Sequence, residues 1–72
     1  MGVNNINDEE IKLINELVKI RKSKGLTQKE VASVSGLSQQ MVSRIENMDN
    51  SPTLSIFFKY IKAVGVDLVI YR

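Results

Sequence analysis

With successive residues spaced at about 100°, Ile11, Leu13, Ile14, Leu17, Val18 and Ile20 fall on one arc, and Lys12, Asn15, Glu16, Lys19, Lys22 and Ser23 on the opposite one. This pattern predicts an amphipathic helix from about Asp8 to Lys24, capped by Asn7 or Asp8 and ended by Gly25. One charge breaks it. Arg21 lies near the centre of the apolar arc, and a guanidinium, which cannot shed its proton, needs a carboxylate there. Glu46, on the edge of a later helix, is the candidate partner. The competing reading lets Arg21 bend out to water along its methylene stem.

The stretch Leu26 to Glu46, LTQKEVASVSGLSQQMVSRIE, spells helix, tight turn, helix. Thr27 is a good N-cap with Glu30 three residues on, so each side chain can take the other's amide and the helix starts at Gln28. Leu26 before the cap and Val31 beyond it form a hydrophobic staple, and Gly36 supplies the left-handed residue that stops this helix. Ser38 caps the next one. On that second helix Val42 and Ile45 point one way with Met41 beside them, whereas Gln39, Gln40, Ser43 and Arg44 cluster on the other. These polar residues occupy the first two turns, where a recognition helix presents side chains to base edges in the major groove. Gln matches adenine N6/N7, Arg matches guanine O6/N7, and Ser serves as base or phosphate ligand. On an isolated helix the same face reads as solvated surface. Cap, staple, glycine turn and second cap at this spacing favour DNA reading.

Asn47 to Pro52, NMDNSP, is a turn-rich loop, after which Thr53 caps a further helix ended by Gly65. Leu54, Phe57, Phe58, Ile61 and Val64 form its expected core stripe, and Ile56, Tyr60 and Ala63 a second apolar face. A helix apolar on two sides in so small a chain suggests an interface. Val66 to Tyr71, VDLVIY, is rich in β-formers, yet no other segment is a convincing strand. Its edge can pair antiparallel with its own copy about a two-fold axis. The expected dimer interface therefore comprises Ile56, Tyr60, Ala63, Leu68, Val69, Ile70 and Tyr71, with Leu68 and Ile70 facing inward.

At 72 residues the chain is one domain, and a chain so short buries only ~60% of the surface its unfolded form exposes. It has no Cys and no His, which removes disulfides, the usual zinc ligands, the commonest general base and the thiol nucleophile. No metal, cofactor or catalytic role is expected. Apolar runs fall short of the ~20 residues of a membrane span, and MGVNNINDEE lacks the basic start and apolar core of a signal peptide, so a cytoplasmic protein is expected. The formal net charge of +2 is small, but its distribution is uneven. Asp8, Glu9, Glu10 and Glu16 stand against Lys12 alone before residue 19, and Lys19, Arg21, Lys22, Lys24 and Lys29 follow with no acid among them. Acids at a helix start and bases at its end suit the helix dipole, and the basic block also abuts the motif. Lys22, Lys24 and Lys29 are thus expected near the DNA backbone.

At TQKEVASVSGLSQQMVSRIE the chain resembles the phage-repressor-like (Cro/C1, also called XRE) helix-turn-helix family, and the likeness extends over about Leu13 to Val66. Position by position, the resemblance implies phosphate contacts at Gln28 and Ser38, base contacts at Gln39, Gln40 and Ser43, and either kind at Arg44. Asn47 is grouped with the phosphate ligands. An Arg and a Glu pair in that family at the positions of Arg21 and Glu46. The chain departs from the family where Met48 replaces a usual Gly and Asp49 a frequent basic residue; Asn47 or Asn50 could take the left-handed conformation instead. Glu46 to Tyr71 is similar to HipB-type antitoxins, whose final helix leads into a strand that pairs across a dimer.

Together these features predict an all-α, lambda-repressor-like bundle of four to five helices with a C-terminal β-strand pairing across a homodimer. The expected function is sequence-specific repression at a two-fold symmetric operator in double-stranded DNA, in its narrower form autoregulation by an antitoxin. The competing reading is a protein-interaction module that chiefly restrains a toxin. A third keeps the motif as scaffold only.

Overall fold

The structure, a computed structural model, describes residues 7–71. Its helices are α1 (Asp8–Ser23), α2 (Gln28–Ser35), α3 (Gln39–Asn47) and α4 (Leu54–Val64). Local chemistry accounts for their starts. Asn7, not Asp8, caps α1: its side chain accepts the Glu10 amide at 2.9 Å, and its own amide donates to Glu10 Oε1 at 3.2 Å. Thr27 and Glu30 make the same reciprocal pair at the head of α2, at 3.1 and 2.9 Å. Ser38 and Thr53 each accept one amide at the heads of α3 and α4. These bonds satisfy donors that the first helical turn leaves without partners.

Two of the helix ends need a left-handed residue inside the motif region. Gly36, at φ 80°, ends α2 as the sequence requires. The end of α3 differs from expectation, since neither Asn47 nor Asn50 turns the chain. Met48 itself does so, at φ 59°. Its unbranched side chain tolerates this backbone better than a β-branched one, at a cost of about 1 to 2 kcal/mol relative to an ordinary helical residue.

The short α2 sits at the centre, packed on α3 and α4, while α1 closes the bundle against the same two helices. Leu17, Val31, Ala32, Leu37, Val42, Ile45, Tyr60, Ile61 and Val64 form the buried cluster. Leu26 packs against this cluster, of which Val31 is a member. On α1 the buried face is Ile14, Leu17 and Arg21, and Leu13 turns outward.

The apolar faces of α4 are assigned differently from the sequence pattern. Its inward arc runs from Tyr60 through Val64 and Phe57 to Ile61, which leaves Leu54 72% exposed at one edge and Tyr60 fully enclosed. Ile56 and Ala63 are half-buried against the same core at the other edge. Tyr60 is therefore a core residue of its own chain rather than part of a face open to a second copy.

After Gly65 the Val66 amide bonds back to the Ile61 carbonyl at 2.9 Å, and no strand forms among the described residues. The expected strand Val66 to Tyr71 is absent from the single chain. A strand exists only by exchanging hydrogen bonds with another, and no described segment runs beside this one. Ile70 and Tyr71 are consequently 89% and 96% exposed.

Candidate nucleic-acid interface

The surface formed by the head of α2 and the first two turns of α3 gathers the polar residues singled out by the sequence. Gln39, Gln40 and Arg44 are exposed on α3, Ser43 is half-buried, and Ser38 caps the helix from the preceding turn. Val42 and Ile45 occupy the opposite side in the core, so the apolar stripe holds α3 down and leaves its polar face outward. Asn47, in the last turn, donates to the Ser43 hydroxyl at 3.4 Å. Arg44 also borders a cleft of about 310 Å³ that it shares with Met41, Asp49 and Asn50. The loop carrying Asp49 is tethered where the Ser51 hydroxyl donates to the Glu10 carboxylate of α1.

Of the lysines expected near a DNA backbone, Lys22 and Lys29 are exposed. Lys24 is turned elsewhere. Its ammonium donates to the Val64 carbonyl at 2.8 Å and the Gly65 carbonyl at 3.4 Å, across the C-terminus of α4. The last carbonyls of a helix lack intrahelical donors and carry the negative end of its dipole, which is where a cation is favoured. In the single chain Lys24 is thus engaged as a cap on α4.

Beneath this surface Arg21 and Glu46 form a two-pronged ion pair, Nε to Oε2 at 2.6 Å and Nη2 to Oε1 at 2.8 Å. Both side chains are buried. Arg21 also donates from Nη1 to the Leu26 carbonyl at 2.7 Å, which ties down the turn between α1 and α2. Two further donors reach Glu46: the Tyr60 hydroxyl at 2.7 Å and the Gln28 amide at 2.9 Å. Burial pushes the Glu46 carboxyl up, but hydrogen bonds from Arg21, Tyr60 and Gln28, with the Arg21 charge, outweigh it and hold the group below the usual carboxylate range. Burial, then the bond to Glu46, pushes the Tyr60 hydroxyl far above its ordinary value, so it stays a donor.

The parts played by Tyr60 and Gln28 were not read from the sequence. A signal existed for Tyr60, since a tyrosine within an apolar helical arc must find a partner for its hydroxyl when it is buried. For Gln28 there was none, because the first position of α2 has no periodicity to show which way it points. Its bond to Glu46 engages one amide hydrogen and leaves the second for another acceptor. Among the described residues there is no cluster of acids able to hold a metal ion, and no helix is long and apolar enough to cross a membrane.

The helix-turn-helix family model matches residues 17–70, three-quarters of the chain, from the middle of α1 into the tail. The chain belongs to the Cro/C1-type helix-turn-helix family. Its relatives include a protein of Haemophilus influenzae described as an uncharacterized HTH-type transcriptional regulator, 35% identical over 89% of this chain and 72% of that protein. A second uncharacterized HTH-type transcriptional regulator, from Sinorhizobium fredii, is 38% identical over 76% of this chain and 71% of its own length. The antitoxin HipB of Escherichia coli is 31% identical over 81% of this chain and 66% of HipB. No solved structure matches. As a member of this helix-turn-helix family the chain is a DNA-binding regulator.

Proposed function

We propose that this regulator is a sequence-specific repressor that reads DNA with Gln39, Gln40, Ser43 and Arg44 and holds the backbone through Ser38, Gln28, Asn47, Lys22 and Lys29. The observation that carries the reading is the polar face of α3, where Gln39, Gln40 and Arg44 are exposed and Ser43 half-buried while Val42, Ile45 and Glu46 are buried in the core. A helix anchored in this way can present several side chains to base edges in one fixed orientation. The active form is a homodimer on a two-fold symmetric operator. Its support is the apolar tail, Leu68 to Tyr71, whose residues are exposed in the single chain and gain a hydrogen-bonded ladder only by pairing with a second copy.

A second reading is that of an antitoxin, which would bind a toxin as well as its own operator. Likeness to HipB and the exposed apolar side chains at the C-terminus favour it. One experiment separates the readings. Selection of bound duplexes from genomic fragments, with mass measurement of the recovered complex, should return a palindromic site and two chains per duplex. A complex with no site preference that co-purifies with the product of a neighbouring gene would replace repression by toxin restraint as the main role.

A further inference from the structure

The carboxylate of Glu46 is gripped by the three other helices at once. On Oε2 it accepts Arg21 from α1 and Tyr60 from α4, and on Oε1 it accepts Arg21 again and Gln28 from α2. Each oxygen thus takes two donors, which fills the acceptor capacity of an ionised carboxylate. Glu46 also shares a stripe of α3 with Ser43, three residues back, and Gln39, seven residues back. Any rotation of α3 that redirected Gln39 or Ser43 would swing Glu46 away from its donors. The helices α3 and α4 pack mainly on α1 and α2 and little on one another, so the Tyr60 hydroxyl is a direct polar tie between them. It lies in a fully enclosed site where no water competes for the bond.

We propose that Tyr60 is a positioning residue for DNA reading: through Glu46 its hydroxyl ties the recognition helix to α4 and sets the angle at which Gln39 and Ser43 meet the bases. The inference rests on the proposal that α3 reads DNA. Since α4 leads directly into the tail proposed to join two copies, the same bond couples the reading angle of each half to the clasp between halves. Tyr60 itself touches no nucleotide.

The test uses Tyr60→Phe, which keeps the ring and removes the hydroxyl, with Ile61→Val as a control that thins the buried face of α4 without a bond to Glu46. Binding is measured to the duplex recovered with the wild-type chain and to a scrambled duplex of equal length, at a temperature where circular dichroism shows every variant fully folded. Tyr60→Phe should lose about tenfold on the selected duplex, the size of one hydrogen bond to a charged group felt in binding, with the scrambled duplex unchanged. Amide resonances of α3 should shift with it, and Ile61→Val should keep wild-type discrimination. Equal losses in the two variants, or undiminished discrimination in Tyr60→Phe, would overturn the positioning role. Should Tyr60→Phe fail to fold, the comparison is made in a Met48→Gly background. If the wild-type chain itself prefers no duplex, DNA reading fails first and the role of Tyr60 falls with it.

Discussion

At the scale of single residues, Glu46 matters most because its removal strands a charge that cannot be neutralised. In Glu46→Ala the Arg21 guanidinium stays buried without a counter-charge, and the loss should be ~3 to 5 kcal/mol, enough to unfold much of so small a domain. Chemical denaturation measures it directly, and an unchanged midpoint would show that Arg21 reaches water. The same carboxylate sets an acid limit. Its folded pKa lies below its unfolded value, so its contribution is fully present above the unfolded pKa and is lost as pH falls through the folded one. A midpoint followed downward from neutral pH should decline in the acid range, and in Glu46→Gln that decline should be smaller. At Met48 the expected sign is opposite. Glycine adopts φ 59° without strain, so Met48→Gly should stabilise by about 1 kcal/mol after its greater unfolded-state entropy is subtracted. A lower midpoint would mean that the Met48 side chain contributes more than its backbone costs.

The helices themselves were legible because their signals are local. Capping residues, staple and Gly36 act within a few positions, so their spacing marked the helix starts and the turn of the motif to within about one residue. The direction in which a helix faces is not local. On α4 the apolar residues extend around more of the circumference than one core contact can cover, and periodicity could not choose among the arcs. Tyr60 was drawn inward by an acceptor on another helix, which left Leu54 outside. On α3 the polar face was unambiguous, and it yields separable predictions. Gln39→Ala or Gln40→Ala should cost ~1 to 3 kcal/mol on the preferred site and little on random duplex, whereas Lys29→Ala should weaken binding to every sequence and flatten its salt dependence. Titrations of both duplexes at several salt concentrations distinguish these patterns. Equal losses on both duplexes for the glutamines would count against base reading.

Across the whole molecule, one recognition helix reads few base pairs, and useful discrimination needs two half-sites whose centres lie about one DNA turn, ~34 Å, apart. Truncation after Gly65 removes the exposed tail together with Val66, which packs on the edge of the core, and leaves the buried cluster itself in place. The shortened chain should sediment as a monomer and bind a palindromic duplex far more weakly, with a smaller change on a lone half-site. If it sediments as a dimer with full affinity, the outer edges of α4 at Ile56 and Ala63 hold the copies together instead.

By itself the sequence determined where the helices start, the turn of the motif and the need for an acid beside Arg21, because each follows from neighbours in the chain or from the cost of burying a charge. Tertiary packing decided the rest. It recruited Tyr60 and Gln28 to Glu46, drew Lys24 away to the end of α4, turned the chain at Met48, and left Val66 to Tyr71 without a ladder. Each of these depends on a group brought near from a distant part of the chain, or on no such group being there, and a one-dimensional pattern carries no record of which groups will meet.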